Sequence, residues 1–255
     1  MADPGTMLLA GGAGMLGGAM NALAGGGTFA TLPALIAMGL PANIANASSN
    51  VALLPGAAAS AWTFRDELAP VAGVPVRTLA AITFAGGLIG SALLLATPSD
   101  AFDMIIPWLL LYAFAVLAFG QRASEWLRAR VTIGPRALVP VLGALGVYGG
   151  YFGGGVGLMT TATLGLLAGV TPRSMFAPRT LMLAVSNAAA AILFVGAGMV
   201  HWAAAVPMLA GAMLGGWIGA LAGRAMPHAL VRWWTLLVTG ATTLVFFARA
   251  YGLAA

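Results

Sequence analysis

Two apolar stretches of this chain, 6–38 and 138–168, are too long for one membrane crossing, and a glycine triplet interrupts each. The triplets are Gly25-Gly26-Gly27 and Gly153-Gly154-Gly155. A spanning helix takes about 20 apolar residues, and glycine is among the weakest helix formers. The pieces after the triplets, 28–38 and 156–168, rise only about 16–20 Å at 1.5 Å per residue. That falls short of a hydrocarbon core of about 30 Å. Each stretch is therefore either one long kinked span or a helix followed by a half-helix that turns back.

Six further segments, 44–63, 74–97, 104–121, 179–199, 202–223 and 229–250, are long and apolar enough to cross. Only 7% of the residues are charged and 61% are hydrophobic, against about 25% charged in soluble domains. The apolar runs are continuous rather than alternating, which points to helices and not to a β-barrel. The net charge of +5 sits in short loops, where it reads as an orientation signal and not as a nucleic-acid surface. Cysteine is absent, which removes disulfides and thiolate metal sites. Residues 1–7 carry Asp3 and no positive charge, unlike the start of a cleavable signal peptide.

Arginine placement separates the two readings of the broken stretches. If each crosses once, Arg65, Arg77, Arg122, Arg128, Arg130 and Arg136 fall opposite Arg173, Arg179, Arg224 and Arg232. If each returns to its starting side, all ten lie together, leaving only Arg249 with Asp3, Asp100 and Asp103. Short cytoplasmic loops are enriched in Arg and Lys, so the expectation is two re-entrant hairpins, with both termini outside the cytoplasm.

An internal repeat agrees. Gly86-Gly87-x-x-Gly90 with Pro98 recurs 129 residues later as Gly215-Gly216-x-x-Gly219 with Pro227, and the triplets are 128 apart. One hairpin plus three spans is an odd number of crossings, so the halves must be oppositely oriented. Inverted repeats with broken helices are a recurring transporter plan, with the binding site near the midplane.

At a glycine break inside a membrane, backbone N–H groups lose their helical partners and need protein, water or ligand. Half-helices beginning near Thr28 and Val156 would direct their positive ends at the protein centre, an arrangement suited to a small anion. Glycine also lets backbone approach a ligand closely. Many membrane glycines serve only close helix packing, and Gly211, Gly215, Gly219 and Gly223 fit that role, as do Gly86 and Gly90.

Asn46, Ser48, Ser49 and Asn50 follow the first hairpin. Arg179 and Thr180 follow the second, with Asn187 two turns deeper. Arg179 reads equally as an anion ligand or as an anchor reaching for headgroups. The Ser/Asn group reads as ligands, or as caps and interhelical hydrogen bonds. Asn21 and Asn43 read as structural. None of the six carboxylates lies deep in a span, so the usual buried relay for protons or sodium is missing. His201 and His228 sit at span ends, and no Ser–His pair or metal-spaced cluster suggests catalysis. Trp62, Trp108, Trp126, Trp202, Trp233 and Trp234 lie near span ends and fit an aromatic belt.

These residues resemble the sulfite exporter TauE/SafE family across nearly the whole chain. In the first half the resemblance rests on the triplet, Pro33, Gly39-Leu40-Pro41, Ala45-Asn46-Ala47 and Pro55-Gly56. In the second it rests on GVYGGYFGGGVGLM, a following basic residue and Asn187. Ser48-Ser49 stands where Thr-Asn is common, and Pro178-Arg179-Thr180 where Leu-Lys-Asn is common. The resemblance implies movement of small sulfur-containing anions such as sulfite or organosulfonates, usually outward.

The expected fold is all-α: a polytopic membrane protein of two inverted repeats, each a re-entrant glycine-broken hairpin plus three transmembrane helices. Residues 1–121 form the first repeat, 122–136 a cytoplasmic linker and 137–255 the second repeat. The expected function is an alternating-access carrier in the cell membrane, without catalysis, cofactor or metal. Its substrate site comprises Gly25, Gly26, Gly27, Thr28, Asn46, Ser48, Ser49, Asn50, Gly153, Gly154, Gly155, Arg179, Thr180 and Asn187. Its partners are a small anion and the lipid bilayer, not nucleic acid, and a homo-oligomer is left open. A passive anion channel and a non-transporting membrane scaffold are the competing readings.

Overall fold

In a computed structural model the chain is helical. The structure describes residues 4–128, 130, 137–168, 175–226 and 228–252. Asp3, Arg136, Arg173, Pro227 and residues 129 and 131–135 of the 122–136 linker lie outside the described residues. The helices are α1 (Pro4–Leu23), α2 (Thr28–Ala37), α3 (Ala42–Thr63), α4 (Val76–Ala96) and α5 (Ser99–Arg128), then α6 (Leu138–Tyr151), α7 (Val156–Ala168), α8 (Phe176–Gly196), α9 (Trp202–Ala225) and α10 (His228–Ala250). Both expected breaks fall at the triplets. Gly25 ends α1 with φ +81°, its N–H donating to Met20 O at 3.1 Å and Asn21 O at 3.0 Å, the left-handed closure that glycine favours.

Among the described residues, six helices are long and apolar enough to span: α1, α4, α5, α8, α9 and α10. Five match expected spans. The sixth expected span, α3, forms a helix of 22 residues but is not among the six, because Asn43, Asn46, Ser48, Ser49, Asn50 and Ser60 lower its hydropathy. Asn46, Ser48, Ser49 and Asn50 are all buried, so α3 spends its polarity inside the protein and not on lipid. The six tryptophans expected in an aromatic belt are all exposed.

Contacts fix the relative directions of the helices. Along α1 and α9, Gly11 lies by Pro207, Gly18 by Ala212 and Ala19 by Gly219, so the two run parallel. α3 is parallel to α9 as well, with Ser48 by His201 and Gly56 by Ala212. α4 runs parallel to α6, Thr83 meeting Gly146 and Gly87 meeting Gly150. It also runs parallel to α8, through Thr83–Met182 and Gly87–Ala189. α3 and α8 are antiparallel, Asn50 facing Asn187 while Ala57 packs near Leu183. α5 and α10 are antiparallel too: Asp103 approaches Arg249, and Arg232 donates to Ala118 O at 3.0 Å.

Glycine makes the tightest of these seams. A Cβ built on Gly90, Gly150, Gly211 or Gly215 would overlap a carbonyl oxygen of the facing helix. The close approach that small residues permit in membranes is used along both α4–α6 and α1–α9. The packing role expected for Gly86, Gly90, Gly211, Gly215 and Gly219 therefore holds.

Candidate functional site

The two breaks meet. A Cβ built on Gly25 would lie 2.8 Å from Gly157 Cα, and one on Gly155 would lie 3.4 Å from the Phe29 ring. A Cβ on Gly153 would lie 3.0 Å from Asn50 Nδ2 and 3.9 Å from Thr28 Oγ1. Gly153 and Gly155 hold φ of +75° and +79°, a backbone shape that side chains disfavour. All six triplet glycines are buried.

Their amides are incompletely used. Gly27 N–H reaches Asn21 Oδ1 at 3.4 Å, and Gly25 N–H closes α1. Among the described residues, the N–H groups of Gly26, Thr28, Gly153, Gly154, Gly155 and Val156 make no hydrogen bond within the protein. Buried N–H groups without a partner are rare in proteins and call for water or a ligand. Here two half-helix starts bring them to one place, where the end dipoles favour negative charge.

Side chains from α3 and α8 complete the surroundings. Asn50 donates to Asn187 Oδ1 at 3.4 Å, and its own Oδ1 is buried without a partner. One turn earlier on α3, Asn46 donates to Tyr151 O at 3.0 Å, tying α3 to the end of α6. Ser49 shares a 2.5 Å hydrogen bond with Thr31, whose hydroxyl also reaches Gly27 O at 3.2 Å. Ser48 faces elsewhere, accepting from His201 N–H at 2.9 Å near the start of α9.

Arg179 is 8% exposed. Its guanidinium reaches Ala22 O at 3.5 Å, and its Cδ lies 3.7 Å from a Cβ built on Gly157. It lines a narrow crevice with Thr180, Ser60 and Gly18, with room for little more than a water molecule. The crevice stops short of both triplets. Thr180 donates to Ala177 O at 3.0 Å. Of the residues expected at the site, the triplets, Thr28, Asn50 and Arg179 come together around the breaks. Asn187 is reached through Asn50, Ser49 supports α2 through Thr31, Asn46 and Thr180 sit at the flanks, and Ser48 lies apart.

Three supporting residues escaped the reading of the sequence. Tyr148 donates to Gly154 O at 2.9 Å, Thr242 to Phe29 O at 3.1 Å, and Thr31 joins α2 to α3. Each is a polar group in an apolar membrane helix, which must find a partner. That demand marks them in the sequence, but periodicity does not say which helix answers it.

Comparison with known proteins adds the family. The family profile described as Sulfite exporter TauE/SafE matches residues 10–246. The probable membrane transporter protein YfcA of Escherichia coli (strain K12) is 28% identical over 240 residues, covering 93% of this chain and 88% of that protein. A probable membrane transporter protein of Haemophilus influenzae is 30% identical over 206 residues, 79% of this chain and 78% of its own length. No solved structure matches. With the profile running from within α1, through both glycine breaks, to within α10, the chain belongs to the sulfite exporter TauE/SafE family of membrane transporters.

Proposed function

We propose that the protein is a carrier for a small sulfonate-like anion, such as sulfite or an organosulfonate, held where the two glycine breaks meet. The observation that carries this reading is the convergence of buried, unpaired amides from Gly26, Thr28 and Gly153–Val156 beside Asn50 and Arg179. Oriented amides and a guanidinium suit an oxyanion carrying several acceptor oxygens. The sulfur chemistry of the substrate and an outward direction follow from the family name alone.

The proposed architecture is a pair of inverted repeats with re-entrant hairpins in the cell membrane, both termini non-cytoplasmic. Two features support it. α1 and α3 both run parallel to α9, as α6 and α8 both run parallel to α4, which supports α2 and α7 as the returning arms of the hairpins. Sequence-equivalent helices, α3 with α8 and α5 with α10, pair antiparallel, and a two-fold axis relating antiparallel helices lies across them. Such pairing supports an inverted repeat. Access would alternate about the fixed midplane site, with 1–121 and 137–255 as the repeats and 122–136 as the linker.

Proteoliposomes test the transport reading. Uptake of sulfite should saturate and show counterflow, with or without an imposed pH gradient. Linear uptake without counterflow would favour a passive channel. A folded Gly26→Leu or Gly154→Leu protein that keeps full biological function would favour a scaffold.

A further inference from the structure

The two breaks are not braced in the same way. In the first, Gly27 N–H is taken by Asn21 Oδ1 at 3.4 Å, and Gly26 O accepts from Phe29 N–H at 3.2 Å. In the second, the brace acts on the opposite group: Tyr148 Oη donates to Gly154 O at 2.9 Å. The residue 128 positions before Tyr148 is Met20, which has no hydroxyl to offer the first break.

A peptide unit is planar and trans, so its C=O and N–H point in opposite directions. Tyr148 stands on the α5 side of the second break, its hydroxyl also 3.3 Å from Leu109 O and its ring edge-on to Tyr112. Drawing Gly154 O toward that side turns the N–H of Gly155 the other way, toward the interior. The amides of Gly153, Gly154, Gly155 and Val156 all stay available.

Other groups cluster at the same break. Asn50, 3% exposed and with its Oδ1 unpartnered, holds its Nδ2 3.0 Å from the point a Gly153 Cβ would occupy. Thr160 Oγ1, one turn into α7, is buried without a partner. The Arg179 stem lies against Gly157.

Resting on the carrier reading above, we infer that the oxyanion is held chiefly by the second break, with Tyr148 as the positioning residue that turns its amides inward. Asn21 competes for an amide of the first break, which serves as scaffold. The two braces therefore predict opposite effects when removed. Tyr148→Phe keeps the ring packing and loses only the hydroxyl. It should weaken sulfite binding about tenfold, the worth of one well-placed hydrogen bond, while the unliganded protein stays folded with a modestly lower melting temperature. Asn21→Ala frees Gly27 N–H and should leave sulfite binding as tight as wild type or tighter.

The experiment is titration of sulfite into purified full-length wild-type, Tyr148→Phe and Asn21→Ala protein, followed by calorimetry and by thermal shift. Wild-type binding with the two variants diverging as stated supports the inference. Wild-type binding with Asn21→Ala weakened tenfold, or with folded Tyr148→Phe unchanged, overturns it. The Asn21 arm decides the matter even if Tyr148→Phe does not fold. No binding by wild type of sulfite, methanesulfonate or acetate overturns the carrier reading itself, a result separate from either variant outcome.

Discussion

Gly25 and Gly157 stand back to back, so that a Cβ built on either would come within 3.0 Å of the other's Cα. Two broken helices from opposite halves of the chain thus touch through bare backbone. Gly25 also holds φ +81°, so a side chain there meets two obstacles. Left-handed geometry costs about 1–2 kcal/mol, and overpacking adds about 1–3 kcal/mol. Gly25→Ala should therefore lose about 2–5 kcal/mol in reversible unfolding from mixed micelles. Gly39 is the control: φ is +88°, yet nothing lies within 4 Å of its Cβ position. Gly39→Ala should show only the backbone part, about 1–2 kcal/mol.

Arg179 should be needed for its charge at the breaks and not as a headgroup anchor. A charged hydrogen bond contributes about 1.5–3 kcal/mol, or roughly tenfold to hundredfold in affinity. Arg179→Ala should raise the sulfite concentration for half-maximal uptake by that factor, and Arg179→Lys by less. Unchanged uptake in folded Arg179→Ala protein would remove the guanidinium from the anion's path.

The Asn50–Asn187 bond joins α3 to α8 at their crossing. Interhelical hydrogen bonds in membranes contribute about 0.6 kcal/mol on average. A double-mutant cycle with Asn50→Ala and Asn187→Ala should return a coupling of that size. A coupling near zero would mean each amide bonds to water or ligand instead.

The termini can be located directly. α10 ends beside the start of α5, where Arg249 lies 3.9 Å from Asp103 and Tyr251 accepts from Trp108 at 2.9 Å. If this end is non-cytoplasmic, alkaline phosphatase fused after residue 255 should be active and a green fluorescent protein fused there dark. The reverse pattern would invert the proposed topology.

The Arg249–Asp103 pair itself should matter little. The side chains are 51% and 34% exposed, and such pairs contribute about 0–1 kcal/mol. Arg249→Gln should leave thermal stability and uptake close to wild type.

The sequence makes the breaks legible because two signals coincide there: glycine triplets and apolar stretches too long for one crossing. The ends of α2 at 28–37 and α7 at 156–168 fall close to where those signals put them. The helix seams were legible for the same reason, since four-residue glycine spacing marks one face of a helix. Tyr148 and Thr242 were not. A lone hydroxyl in an apolar run announces that it needs an acceptor, but the acceptor lies on an element that only the packing brings near. Arg179 lay between. Its position after Pro178 suggested a membrane edge, and the sequence does not show that its side chain turns inward, into a crevice walled by α1, α3 and α9.

The glycine seams carry a further implication. α1 grips α9 and α4 grips α6, so each half of the polypeptide clasps an arm of the other, and among the described residues the tightest glycine seams are not within either half. Neither portion owns the neighbours its glycines were shaped for. A fragment made by itself would leave bare grooves facing lipid. Two fragments severed in the 129–136 segment and made together in one cell hold between them every surface needed to find each other and assemble.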